Sequence, residues 1–80
     1  MNRKEAIPIN FIKKLRVNRE MTQAELAKAC GVTQGTVAMW EKGMTFPKTE
    51  KISIVAEVLG CDSRLLLKMA EERQKRRIGA

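Results

Sequence analysis

The stretch QAELAKACGVTQGTVAMWEK, residues 23–42, decides the fold. The spacing of its apolar and small residues is typical of two short helices joined by a tight turn. Apolar side chains from both halves are spaced to converge on one small core, and they are Leu26, Cys30, Val32, Val37 and Trp40. Ala27 is small where crossing helices must approach closely, and Gly31 suits a turn with positive φ. The stretch therefore predicts two crossing helices, here called helices 2 and 3.

Local capping signals predict where these two helices begin and end. Thr22 and Glu25 have the T-x-x-E spacing of a capping box, in which each side chain accepts a hydrogen bond from the other residue's backbone N–H. Thr33 is the N-cap candidate for helix 3, which is predicted from Gln34 to about residue 42. Glycines 31 and 43 are expected to stop helices 2 and 3 as left-handed residues.

Three further helices complete the prediction of an all-α, five-helix domain. Helix 1 is predicted from about Pro8 to residue 19, helix 4 over residues 49–59, and helix 5 from residue 63 after the cap Asp62. Strand-like alternation is absent, and Ala, Leu, Lys, Glu and Met dominate. The end of helix 5 is left open, since it could extend into RQKRR, residues 73–77. The expected organisation is a basic arm at 1–7, a domain at 8–70 and a basic tail at 71–80.

Positive charge is concentrated at the two ends of the chain. The 80 residues carry a net charge of +7, of which residues 1–20 contribute +4, residues 21–60 contribute 0 and residues 61–80 contribute +3. This distribution favours a polyanionic partner, although a merely soluble basic domain would have the same composition.

The sequence gives no sign of a metal centre, a disulfide framework or a catalytic site. It contains no histidine and two distant cysteines, Cys30 and Cys61, which are expected to be buried thiols. No nucleophile–base pair or phosphate-cradling glycine loop is present, so we expect neither an enzyme nor a cofactor. The N-terminal MNRKEAIPIN lacks the apolar segment of a signal peptide, and no stretch reaches the ~18 apolar residues of a membrane span. We therefore expect a cytoplasmic protein that does not contact membranes.

Many positions in register resemble the helix-turn-helix domain of lambda-repressor-like and Cro proteins, the Xre-like regulators. The likeness covers roughly residues 8–69, and its pieces are Leu15-Arg16, Met21-Thr22-Gln23-x-Glu25-Leu26-Ala27, Gly31-Val32-Thr33-Gln34, Val37, Trp40-Glu41-x-Gly43, Pro47 and Ala56-x-x-Leu59-Gly60. The resemblance implies that helix 3 lies in the DNA major groove, with helix 2 across the backbone. It also implies an ion pair between Arg16 and Glu41. Glu20 departs from the family, which often has glycine there.

The resemblance implies that the start of helix 3 contacts bases, through Thr33, Gln34, Gly35, Thr36 and Met39. The Gln34 amide can form two hydrogen bonds with adenine, and a solvated polar residue is the alternative. Gly35 either lets the helix backbone approach the groove floor closely or is an incidental glycine. Met39 either touches a thymine methyl group or is an ordinary surface methionine.

Phosphate contacts are expected around the same surface. The N-terminus of helix 2 offers free N–H groups to a phosphate, and Gln23 in its first turn can add a side-chain hydrogen bond. The further phosphate-binding candidates are Asn18, Lys42, Thr45 and Lys48.

Helix 4 carries two apolar stripes. The core stripe is Ile52, Val55, Ala56 and Leu59, and the second consists of Ile54 and Val58. Because relatives dimerise through the helix 4–5 region, the candidates for a homodimer interface are Ile54, Val58, Cys61, Ser63, Arg64 and Leu65. Packing of the second stripe against the tail of helix 5 is the alternative.

Two functions are compatible with these features. The leading hypothesis is a sequence-specific transcriptional regulator, most simply a repressor, that binds double-stranded DNA as a dimer on a palindromic operator. The second hypothesis is the antitoxin of a toxin–antitoxin pair, in which helix 5 and the basic tail bind a toxin protein. An adjacent toxin-like reading frame would favour the second.

Overall fold

The computed structural model describes residues 10–79, and their side chains as far as Arg73. Its five α-helices in chain order are α1 Phe11–Asn18, α2 Gln23–Cys30, α3 Gln34–Glu41, α4 Thr49–Leu59 and α5 Ser63–Gly79. Residues 10–79 contain no strand, which confirms the all-α prediction. Within that range, no helix has both the length and the apolar character needed to cross a membrane. The predicted arm at 1–7 lies outside the described residues.

The predicted capping chemistry fixes α2 and the start of α3. Thr22 Oγ1 accepts a hydrogen bond from the Glu25 N–H at 3.0 Å, and Glu25 Oε1 accepts one from the Thr22 N–H at 2.8 Å. Gly31 follows α2 with a φ of 73°, a conformation that other residues adopt only with strain. Thr33 Oγ1 then accepts a hydrogen bond from the Thr36 N–H at 3.2 Å, so α3 begins where the sequence predicts.

The other helix ends lie close to the prediction, apart from the start of α1. α1 begins at Phe11, later than the predicted Pro8, which lies outside the described residues; Asn10 precedes the helix without capping it through its side chain. α3 ends at Glu41 with Lys42 as its C-cap, as predicted to within one residue, and Gly43 follows with the predicted left-handed backbone, at a φ of 77°. α5 continues to residue 79, because neither glycine nor proline interrupts residues 64–78. At its start, Asp62 Oδ1 accepts a hydrogen bond from the Arg64 N–H at 2.9 Å, as expected of a cap.

The turn between α1 and α2 keeps a left-handed residue although the family's glycine is missing. Glu20 has a φ of 58°, and among residues 10–79 it is the one residue other than glycine with positive φ. This conformation costs a residue with a side chain roughly 1–2 kcal/mol. The Met21 N–H donates to the carbonyl oxygen of Arg16 at 3.1 Å, which closes the turn around Glu20.

One core holds the helices together, and all five contribute to it. The buried apolar residues are Ile12, Leu26, Ala27, Cys30, Val37, Trp40, Ile52, Val55, Ala56, Leu59, Leu66 and Met69. The predicted convergence of α2 and α3 is therefore present, with Val32 only half-buried. Cys30 is buried and Cys61 is half-buried, and both are free thiols. Burial raises the pKa of each thiol.

The second apolar stripe of α4 divides between the core and the surface. Val58 packs partly against the core, as does Cys61 just after the helix. Ile54 is 37% exposed, and Leu65 and Leu67 at the start of α5 are 40% and 39% exposed. Large apolar side chains therefore face solvent on both α4 and α5.

Candidate nucleic-acid interface

The first residues of α3 face solvent while the rest of the helix is anchored in the core. Thr33, Gln34 and Gly35 are exposed, whereas Val37 and Trp40 are buried. The buried side chains fix the axis of α3, and the opposite face of its first turns stays open. A helix with a free face has the dimensions that the DNA major groove admits.

Arg16 and Glu41 lie together and attach α3 to α1. Arg16 Nε donates to Glu41 Oε2 at 2.6 Å and Nη2 donates to Oε1 at 3.1 Å, and the two side chains are 11% and 4% exposed. Arg16 Nη1 also donates to the carbonyl oxygen of Met21 at 2.7 Å. Burial opposes ionisation of Glu41, but hydrogen bonds from Arg16 and Gln23 outweigh it, so the pKa of Glu41 lies below its ordinary value.

A chain of hydrogen bonds runs from this ion pair to Gln34. Gln23 Nε2 donates to Glu41 Oε1 at 3.0 Å, and Gln34 Nε2 donates to Gln23 Oε1 at 3.4 Å. After this contact the Gln34 amide keeps a second N–H and a carbonyl oxygen. Those two groups are the ones that an adenine edge requires. In the sequence, this hydrogen-bond chain is indicated only by a glutamine at the first position of both α2 and α3.

The N-terminus of α2 keeps backbone donors for an anion. The capping box occupies the N–H groups of Thr22 and Glu25. The N–H groups of Gln23 and Ala24 lie in the first turn, where a helix offers no acceptor. Because the side chain of Gln23 contacts Glu41, its amide has only one further hydrogen for a phosphate.

A groove lies between α3 and the connection to α4. Its lining residues are Val32, Thr36, Met39, Trp40, Thr45, Phe46, Lys48 and Lys51. Met39 is half-buried in this groove, and Thr36 Oγ1 lies 3.0 Å from Thr33 Oγ1. Two base-reading candidates and two phosphate-binding candidates therefore share one groove, which is called the reading groove below.

The fold itself does not require a glycine at position 35. The positive-φ glycines of the described chain are 31, 43 and 60, so Gly35 has ordinary helical backbone. A Cβ added at Gly35 would find Thr33 Oγ1 as its nearest neighbour, at 3.9 Å. A methyl group would therefore fit at this position in the isolated protein.

The remaining sequence candidates lie outside the reading groove. Lys42 is exposed at the end of α3, and Asn18 lies in a separate groove along α1 with Lys13 and Lys14.

On the α4–α5 side, Ser63 is half-buried, and Arg64 Nη2 contacts Asp62 Oδ2 at 2.7 Å. Hydrogen bonds from Arg64 lower the pKa of Asp62 to about 2.

Two contacts between distant segments could not be predicted from the sequence. Lys51 Nζ donates to the carbonyl oxygen of Cys30 at 3.0 Å, which places a cation at the C-terminus of α2, where the helix dipole favours it. Arg73 Nη1 donates to the carbonyl oxygen of Gly43 at 3.1 Å. This second contact brings the distal part of α5 beside the residue that follows the C-cap of α3.

The crossing helices α2 and α3, the tight turn at Gly31 and the open face of α3 define a helix-turn-helix domain. The helix-turn-helix family model matches residues 12–66. The chain therefore belongs to the helix-turn-helix family, and within it to the Cro and Xre type that the sequence resembles.

This chain is similar to a phage repressor in sequence and to a gene regulator of known structure in fold. It is 39% identical over 49 residues to the cryptic phage CTXphi transcriptional repressor RstR of Vibrio cholerae, a match that covers 61% of this chain and 44% of that protein. The match thus spans less than half of the relative's length. The crystal structure of the clp gene regulator ClgR from Corynebacterium glutamicum has a similar fold, with a TM-score of 0.63 and 23% identity over 85% of this chain and 78% of that chain.

Proposed function

We propose that this chain is a transcriptional repressor that binds a specific double-stranded DNA sequence and reads the major groove with α3. The observation that carries the proposal is Gln34, which is exposed at the start of α3 and is linked through Gln23 to the largely buried ion pair of Arg16 and Glu41. An amide on the solvent-exposed first turn of a helix suits a bidentate contact with adenine. Membership of the helix-turn-helix family and the similarity to the repressor RstR support the same function.

Around this tip, the proposed base contacts are Thr33, Gln34, Gly35, Thr36 and Met39. The proposed phosphate contacts are the N-terminus of α2 at Gln23 together with Asn18, Lys42, Thr45 and Lys48. The side chains of Asn18, Lys42, Thr45 and Lys48 are exposed, which leaves them accessible to a DNA backbone. Such contacts set the position of the protein on DNA, while the base contacts carry the sequence preference.

We also propose that the chain binds a palindromic operator as a homodimer. The proposed interface consists of Ile54, Val58, Cys61, Ser63, Arg64 and Leu65. It is supported by the exposed apolar side chains of Ile54 and Leu65, which a second copy would cover. Two-fold symmetry would then place the two α3 helices about 34 Å apart, one turn of DNA.

The test begins with selection of bound sequences from random DNA. Fluorescence anisotropy then compares the selected operator with random DNA at several salt concentrations. We expect the operator to bind about a thousandfold or more tighter, and both affinities to fall as salt rises. Equal affinity for the two DNAs, or association that ignores salt, would reject the proposal.

Lys48→Ala is expected to weaken binding to every DNA sequence alike. Lys48 is exposed in the reading groove, and its side chain makes no capping hydrogen bond to α4, so the substitution should leave the fold intact. Loss of one phosphate contact should reduce the slope of log affinity against log salt by about 0.9. Lys28→Ala, which removes an exposed lysine of α2 outside that groove, is the control. An unchanged slope for Lys48→Ala would remove Lys48 from the interface.

Gly35→Ala separates the two explanations of this glycine. Because the position is helical and has room for a methyl group, the variant should be more stable by about 0.5–1 kcal/mol. If the helix backbone approaches the groove floor here, operator binding should nevertheless weaken by about tenfold, or ~1.4 kcal/mol. Thermal unfolding and anisotropy measure the two effects separately. Greater stability with unchanged affinity would mean that the glycine is incidental.

A further inference from the structure

Arg73, in the distal half of α5, lies beside the end of α3. Leu66 and Met69 anchor α5 in the core, and one turn after Met69 the Arg73 guanidinium donates to the carbonyl oxygen of Gly43 at 3.1 Å. Gly43 directly follows the C-cap of α3. The part of α5 that follows Leu66, including Met69 and Arg73, lies beyond the end of the family match at residue 66. The helix-turn-helix pattern therefore does not account for it.

A second groove separates α5 from the connection between α3 and α4. Ala70 and Arg73 form one side, and residues 44–49 form the other. Thr45 and Lys48 line both this groove and the reading groove. The distal part of α5 consequently borders the surface that is proposed to face DNA.

Beyond this point the helix is strongly cationic. Four of the five residues in Arg73–Arg77 are Lys or Arg, and the run contains no acidic residue. α5 stays helical to residue 79, so the run advances only about 6 Å along the axis from position 73 to position 77. Positions 76 and 77 come one turn after position 73, on the same face of the helix.

We propose that the cationic run Arg73–Arg77 is a second phosphate-binding segment, which contacts the DNA backbone beyond the bases that α3 reads. This inference rests on the proposed function, because it requires that α3 faces DNA. Arg73 lines the same groove as Lys48 and fixes the point where the run begins through its bond to Gly43, and the following residues continue the positive charge along the helix. Each half-site would then extend further than the contacts of α3 alone. An acidic protein partner would also suit the charge, but the groove residues Thr45 and Lys48 connect Arg73, where the run begins, to the surface that is proposed to face DNA.

The test uses the full chain with Arg76→Gln and Arg77→Gln together. Its matched control is Lys28→Gln with Lys68→Gln, which removes the same charge from exposed positions on α2 and α5. Circular dichroism and thermal unfolding establish that both variants fold. Anisotropy then measures operator affinity against salt, on duplexes that end at the half-sites and on duplexes extended beyond them.

Wild-type protein should bind the extended duplex more tightly than the short one. The Arg76→Gln/Arg77→Gln variant should lose this gain, and its salt slope should be shallower by up to about 1.8, the value for two phosphate contacts. The lysine control should behave like wild type. A variant with the wild-type slope and the wild-type gain on extended DNA would overturn the inference.

Failure of this inference differs from failure of the proposed function. If the wild-type protein distinguishes operator from random DNA while the arginine variant matches it on both duplexes, only the role of the cationic run is wrong. If the wild-type protein itself shows no operator preference, the proposed function is wrong, and with it the inference.

Discussion

Glu41→Ala is expected to lower the free energy of unfolding by up to about 3–5 kcal/mol, the cost of breaking a fully buried ion pair, because it leaves the largely buried Arg16 side chain without its partner. The two side chains are 4% and 11% exposed and are joined by two hydrogen bonds. The substitution also removes the acceptor of Gln23, which holds Gln34. Urea unfolding at neutral pH measures the loss. Glu57→Ala, at an exposed position of α4, should change stability by no more than about 0.5 kcal/mol.

Acidic pH should reduce the difference in the free energy of unfolding between wild type and Glu41→Ala. The pKa of Glu41 in the folded protein lies below its ordinary value of 4.5, so its ionised form stabilises the folded state above that value. As the pH falls below 4.5 and through the folded pKa, wild type loses this contribution and the variant has none to lose. Unfolding curves at several pH values test this. A difference that stays constant into acid would mean that the ion pair does not account for the loss.

Gln34→Ala is expected to remove about 1–3 kcal/mol of discrimination at one base pair of the operator. Gln34 is exposed and helical, so alanine should preserve the fold, and the remaining phosphate contacts should preserve affinity for random DNA. Anisotropy with the operator and with its single base-pair variants measures the change. At one operator position, expected to be an A·T pair, the affinity of the variant should no longer depend on which base pair is present.

Lys48→Ala serves as the matched comparison for this substitution. It should lower the affinity for all DNA sequences without changing their ranking by affinity, whereas Gln34→Ala should change that ranking. Losses of equal size on every sequence from Gln34→Ala would refute its reading role.

The sequence predicted the features that depend on neighbouring residues. The capping box of Thr22 and Glu25, the stop at Gly31 and the start of α3 after Thr33 need only a few residues each, and the structure has all three. The core stripe of helix 4 followed equally from helical spacing. The family resemblance was needed for Arg16 and Glu41, because twenty-five positions separate them.

Contacts that depend on the tertiary arrangement were not predictable in the same way. The bond from Arg73 to the Gly43 carbonyl requires that α5 runs back to the end of α3, and its backbone acceptor has no residue signature. The bond from Lys51 to the Cys30 carbonyl is of the same kind. At Glu20 the surrounding turn imposes a left-handed backbone on a residue that does not favour it.

The hydrogen-bond chain that ends on Gln34 has a consequence for the entropy of DNA binding. A flexible side chain that becomes ordered in an interface loses about 0.5–1.5 kcal/mol of rotamer freedom on association. Gln34 is partly restrained in the free protein by its 3.4 Å hydrogen bond to Gln23, which Glu41 restrains in turn. Part of the ordering therefore takes place when the chain folds, so that Gln34 loses less side-chain entropy when it contacts a base in the complex.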